Sequence, residues 1–122
     1  MKRSGFPLGE KMLMKGTELM KIYDITGDSY TREVENYSGT VLLDFFADWC
    51  TPCKALSSVI SDVAESASSD VKICKVNVDS EKDLAEKFGI MSIPTLVVMK
   101  NGTVMNRSIG VTGKQAIMDM LE

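Results

Sequence analysis

The chain predicts an α/β fold, a central mixed five-stranded sheet flanked by helices. Three observations carry this reading. Short apolar runs alternate with amphipathic segments in the order β-α-β-α-β-α-β-β-α. The run Val41 to Ala47 is so continuously apolar that neither of its faces is suited to water. Asn101-Gly102 joins two β-rich runs, and that dipeptide supplies the positive φ angles of a two-residue hairpin turn.

Taken in order, Met20 to Ile25 reads as a short strand. Thr26-Gly27-Asp28-Ser29 offers helix N-caps, with a helix to about Asn36. After the Val41 strand, Leu56, Ile60, Val63 and Ala67 share one helical face that ends near Ser68-Ser69-Asp70. Val71 to Val78 is the next strand, and Ser80 is placed to cap a helix over 81–88 with Leu84 and Phe88 on one face. Thr95 to Met99 and Thr103 to Ile109 form the hairpin, Gly110 to Gly113 break the pattern, and a last helix runs to about Leu121. Crossover helices imply parallel strands, and the hairpin adds an antiparallel edge. Residues 1–19 hold no sustained period and read as a flexible extension, with the domain over 20–122.

Composition narrows the function. A length of 122 residues gives one domain with a real core. A net charge of −3 advertises neither nucleic acid nor an anionic membrane. Lys2 and Arg3 are not followed by the roughly 7–15-residue apolar region of a secretory signal, so a cytoplasmic protein is expected. The chain has no histidine, which removes Ser-His and Cys-His catalysis and the usual nitrogen ligand of zinc. It has three cysteines, two of them in Cys50-Thr51-Pro52-Cys53. A zinc site needs four ligands, and Cys74 alone does not complete one.

Context gives that CxxC its chemistry. It follows a buried strand and opens a helix, where free N–H groups and the positive end of the macrodipole favour a thiolate at Cys50. The thiolate is the nucleophile, and a second sulfur close by can resolve a mixed disulfide. Pro52 suits a first helical turn. Asp44 intrudes among Leu42, Leu43, Phe45 and Phe46. Burial there would raise its pKa toward that of a proton acceptor, unless the side chain escapes at a strand edge. Lys75 either offsets Asp44 or snorkels to solvent. Pro94 belongs at the start of a strand, its peptide bond cis or trans. Trp49 is either exposed for partner contact or part of the core. Cys74, within a β-rich run, reads as structural.

The segment Leu43-Asp44-Phe45-Phe46-Ala47-Asp48-Trp49-Cys50-Thr51-Pro52-Cys53-Lys54 resembles the active-site segment of the thioredoxin family. Lys75 to Asp79, Phe88-Gly89-Ile90, Ile93-Pro94-Thr95-Leu96, Lys100-Asn101-Gly102 and Gly110 continue the likeness in order over roughly 20–122. The resemblance implies a thioredoxin fold and a protein-disulfide reductase that needs no bound cofactor or metal. It implies Cys50 as attacking and Cys53 as resolving cysteine, Asp44 as buried acid-base group with Lys75 beside it, and Pro94 as a cis-proline packed on the disulfide. Trp49, Thr51, Pro52, Ile93, Pro94 and Gly110 would border the substrate groove. The implied partners are disulfide-containing proteins and a flavin-dependent thioredoxin reductase, met by a monomer. Two departures stand out: Thr51-Pro52 replaces the commoner Gly-Pro, which bears on redox poise, and Ser58 replaces a helix-kinking proline. Exported oxidase and isomerase relatives usually carry Pro-His or Gly-His between the cysteines.

Overall fold

A computed structural model describes residues 22–122. The expected extension over 1–19, and Met20 at the start of the first strand, lie outside the described residues. The elements are β1 (Ile22–Asp24), a π-helical turn (Thr31–Glu35), β2 (Thr40–Phe46), α1 (Thr51–Ser66), β3 (Val71–Asn77), α2 (Lys82–Lys87), β4 (Thr95–Lys100), β5 (Thr103–Ile109) and α3 (Lys114–Met120). The sheet order is β1-β3-β2-β4-β5, a mixed five-stranded sheet as expected.

Alternation of side chains along β2 divides the core into two layers. Val41, Leu43 and Phe45 join Cys74, Val76, Val97 and Met99 beneath Tyr30, Val34, Leu84 and Phe88. That layer lies under the π turn and α2. Leu42, with Ile73, Leu96 and Val98, faces Leu56, Ile60 and Val63 of α1 and Ile117 of α3. Both faces of β2 are therefore covered, which is why its sequence shows no polar alternation.

Three details differ from the sequence reading. Strands β1 and β2 run parallel to β3, but β4 is antiparallel to β2. Asn77 leaves the sheet beside Phe46, and Thr95 re-enters beside Phe45, at the same end. Helix α2 has six residues and rises about 9 Å, too little to carry the chain back along a seven-residue strand of about 23 Å. Second, the first helix shrinks to the five-residue π turn, and its N-cap Tyr30 makes no side-chain cap bond. Thr26 and Ser29 instead bond each other: Thr26 N–H donates to Ser29 Oγ at 3.0 Å, and Ser29 N–H to Thr26 O at 3.1 Å. Third, Ser80 does not cap α2, whose N-cap is Glu81. Asn77 Oδ1 takes the Asp79 N–H at 2.9 Å and turns the chain there.

The Asn101-Gly102 turn has both residues at positive φ, 53° and 77°, as a type I′ hairpin requires. Helix α2 closes with a Schellman motif. Gly89 takes φ +64°, its N–H donates to Glu86 O at 3.0 Å, and Ile90 N–H donates to Ala85 O at 2.9 Å. Among the described residues no helix is long and apolar enough to cross a membrane.

Cys74 is fully buried and unpaired, opposite Tyr23 of β1 and Leu43 of β2. Burial pushes its thiol up to about 12 against the opposing pull of Lys72. Such a thiol stays protonated and behaves as a small apolar side chain. Cys74→Ala should cost about 1 kcal/mol, comparable to removing one buried methyl group. It should leave disulfide turnover unchanged. Denaturant melts and an insulin-reduction assay check both.

Candidate active site

Strand β2 ends at Phe46, and the chain turns at once into α1. The turn is held by Cys50 N–H donating to Ala47 O at 3.2 Å. Cys50 is the N-cap of α1, in extended backbone, and its Sγ accepts the Cys53 N–H at 3.2 Å. Sulfur here takes the place of the oxygen of an ordinary N-cap side chain. Pro52 falls in the first turn, where a missing N–H leaves no vacancy in the ladder. Cys50 and Cys53 are joined as a disulfide, with Cα atoms 5.3 Å apart. Ser58 lies within a helix that runs unbroken from Thr51 to Ser66.

The two cysteines are equally shielded, each 4% exposed, and pack on Ala47 with Phe46, Val78 and Ile93 at the margin. Trp49 is 69% exposed, which removes the core reading. Its indole N–H donates to Asp79 Oδ2 at 2.8 Å. Thr51 and Pro52 are also exposed on the helix start. The Ile93–Pro94 peptide is cis, and Pro94 is buried while Ile93 lies half-buried against the cysteines. Pro94 O accepts the Gly110 N–H at 2.9 Å. Gly110 takes φ +94°, and a Cβ there would meet nothing within 4 Å. Conformation, not space, calls for glycine at that position.

Asp44 is 1% exposed, and its Oδ1 has no hydrogen-bond partner. Desolvation raises its pKa to about 6, with the Lys75 charge pulling the other way. The escape at a strand edge is thereby ruled out. Lys75 is the register partner of Asp44 across β2 and β3. Its ammonium lies 3.5 Å from Ser57 Oγ and 4.5 Å from the centre of the Phe46 ring. It lines an open cleft of about 190 Å³ together with Cys53, Lys54, Ser57 and Asp48. One charged wall thus carries both the inner cysteine and the lysine that neighbours the buried acid.

The sheet brings Cys50, Cys53, Asp44, Lys75, Trp49, Pro94 and Gly110 toward one end of the molecule, whereas Cys74 lies mid-strand in the core and the Asn101-Gly102 turn at the other end. Asp79, the anchor of Trp49, is not among the site residues the sequence points to. It follows β3 whereas Trp49 follows β2, and a pairing across 30 residues leaves no local sequence signal. Among the described residues no cluster of three or more His, Cys, Asp or Glu is placed to hold a metal ion.

The family model described as thioredoxin matches residues 21–122. The chain belongs to the thioredoxin family. It is 38% identical to a thioredoxin of Bacillus subtilis over 102 residues, covering 84% of this chain and 96% of that protein. A Pyropia yezoensis thioredoxin is 37% identical over 102 residues, covering 84% and 95%. A solved structure of a mutant thioredoxin from Halobacterium salinarum superposes with a TM-score of 0.74 at 32% identity, over 83% of this chain and 88% of that one. Membership, together with a bonded Cys50–Cys53 pair at a helix start, identifies a thioredoxin acting by dithiol–disulfide exchange. Thioredoxins as a family act on disulfide substrates and are returned to the dithiol by a reductase.

The environment of Asp44 predicts how stability responds to pH. Its folded pKa of about 6 stands above the 3.8 of a free aspartate carboxyl, so the folded chain binds the extra proton between those values. Below about pH 4 both states are protonated and there is no penalty. As pH rises from 4 to 6 the penalty grows, and above 6 it is complete. Asp44→Asn in the oxidised protein should therefore be little changed in stability near pH 4 and more stable at pH 7, by up to about 3 kcal/mol. Denaturant melts across pH measure the difference. A variant no more stable at pH 7 than wild type would contradict a buried, unpartnered carboxylate.

Proposed function

We propose that Cys50 is the attacking sulfur and Cys53 the resolving one in reduction of protein disulfides. The observation that carries this order is the position of Cys50 as N-cap, its Sγ receiving the Cys53 N–H in the first turn of α1. A hydrogen bond and a helix N-terminus both favour the anion, so the reduced pair holds its negative charge on Cys50. The Cys50 thiolate attacks one sulfur of a substrate disulfide, forming a mixed disulfide and releasing the other sulfur as a thiolate that takes up a proton. Cys53 then loses its proton to Asp44 and attacks Cys50 Sγ. The Cys50–Cys53 bond forms, the mixed disulfide breaks, and the second substrate sulfur leaves as a thiol once protonated. Two electrons have passed from the dithiol to the substrate.

Asp44 suits the proton step because its pKa of about 6 lies near neutrality. Lys75 limits how far burial can raise that value. Trp49, Thr51 and Pro52 on one side, with Ile93, Pro94 and Gly110 on the other, form the groove that receives the substrate chain. A flavin-dependent thioredoxin reductase restores the dithiol by returning two electrons and two protons. The chain itself carries no bound cofactor and acts as a cytoplasmic monomer, without nucleic acid or membrane as partner.

Three measurements on the reduced protein test this reading. Cys50 should alkylate before Cys53. Cys53→Ser should accumulate a stable mixed disulfide with insulin, whereas Cys50→Ser should form none and reduce nothing. Asp44→Asn should slow resolution by about 100-fold near pH 7, the lower end of the range for general acid–base help. That defect should shrink above pH 9, where Cys53 ionises unaided. Earlier alkylation of Cys53, or an Asp44→Asn defect independent of pH, would overturn the assignment.

A further inference from the structure

The loop between α2 and β4 carries one wall of the active site, and it is tied at both ends to the edge strand. At its far end Gly110, just past β5, donates to Pro94 O at 2.9 Å. At its near end Arg107 of β5 donates from Nη2 to Phe88 O at 2.7 Å. Between these anchors run Gly89 to Ile93. They include Met91, 94% exposed, and Ile93, packed against the cysteines. A third bond, Thr95 Oγ1 to Ser92 O at 2.7 Å, fixes the chain just before the cis peptide.

The Arg107 bond follows from the fold. Arg107 stands opposite Val97 in the β4–β5 register, and Val97 belongs to the layer that packs under α2. Paired residues on antiparallel strands project from the same face, so the arginine lies on the α2 side of the sheet edge. The Schellman motif that ends α2 uses the carbonyls of Ala85 and Glu86. Phe88 O lies beyond those bonds, at the point where the chain leaves the helix for the wall. A guanidinium is a charged donor with a rigid fork, and its bond to a carbonyl is stronger than a neutral one. Without it, the near end of the wall would hang from the two-bond helix cap alone, while the far end keeps the Gly110–Pro94 and Thr95–Ser92 bonds.

We infer that Arg107 is a positioning residue that sets the substrate-facing wall Gly89–Ile93 by holding the Phe88 carbonyl. It touches neither cysteine and takes no part in the exchange step. The inference rests on the reading that Ile93 and Pro94 border the substrate groove. It predicts that the edge strand, through one side chain, governs how well protein substrates dock.

Arg107→Ala and Arg107→Lys test it in the full chain. Amide hydrogen exchange is the first readout: in Arg107→Ala the Gly89 and Ile90 amides should exchange about tenfold faster, while amides of β2 and β4 keep their protection. Steady-state reduction of insulin is the second: KM should rise about three- to tenfold in Arg107→Ala with kcat within about twofold of wild type. KM for a small aromatic disulfide, which spans less of the wall, should rise less. Arg107→Lys, which keeps a charged donor, should recover at least half of the loss. Unchanged exchange at Gly89 and Ile90 would overturn the tether. So would loss of protection throughout the sheet with kcat falling and KM unchanged, which would make Arg107 a general stabiliser. A wild-type chain unable to reduce insulin would instead remove the groove reading, and the exchange data would still decide whether Arg107 holds the loop.

Discussion

Strand β2 is hydrogen-bonded on both edges and covered on both faces, and the active site is arranged around that enclosure. With β3 on one side and β4 on the other, none of its backbone is left for water. A carboxylate in such a strand has to be buried. Isolated ionised groups in low dielectric cost several kcal/mol, which the protein meets by letting Asp44 bind a proton at a pH where a free carboxyl would not. The enclosure also dictates where chemistry can reach solvent. The chain is released from the sheet only after Phe46, and the redox pair occupies the first turn of helix that follows.

That arrangement separates two tasks. The β2–α1 unit holds the sulfurs and, through β2 and β3, the buried acid with its lysine neighbour. The residues that flank the pair come from elsewhere: Trp49 is pinned by Asp79 from the end of β3, and Ile93 and Pro94 enter from the loop before β4. The second set is held by hydrogen bonds to exposed or edge elements as well as by the packing of Ile93 and the burial of Pro94.

The layered core explains why so much was legible in the sequence. Continuous apolarity marked β2, the spacing of Leu56, Ile60 and Val63 marked the buried face of α1, and Asn101-Gly102 marked the hairpin. Each signal is local, since it comes from burial periodicity or from backbone conformations that few residues adopt. The failures were local signals outcompeted. Thr26 and Ser29 had cap chemistry but bonded each other, and Ser80, read as the cap of α2, gives way to Glu81 after a turn held by Asn77 Oδ1. The direction of β4 was misread because a helix between strands normally implies a parallel return, whereas α2 is too short to make one.

The sequence by itself determined the order of elements, the two-faced burial of β2, the cysteine pair at a helix start and the presence of an acid in an apolar strand. These depend on residues within a few positions of one another. Only the tertiary structure decided that Asp44 is without a partner at Oδ1, that Lys75 turns toward Ser57 and Phe46, that Trp49 leans on Asp79 and that Arg107 holds Phe88. The contacts among these outcomes join residues separated by 18 to 30 positions, from Lys75 and Ser57 to Trp49 and Asp79. Which donor meets which acceptor is set by strand register and by helix placement over the sheet, and neither is written in any one segment.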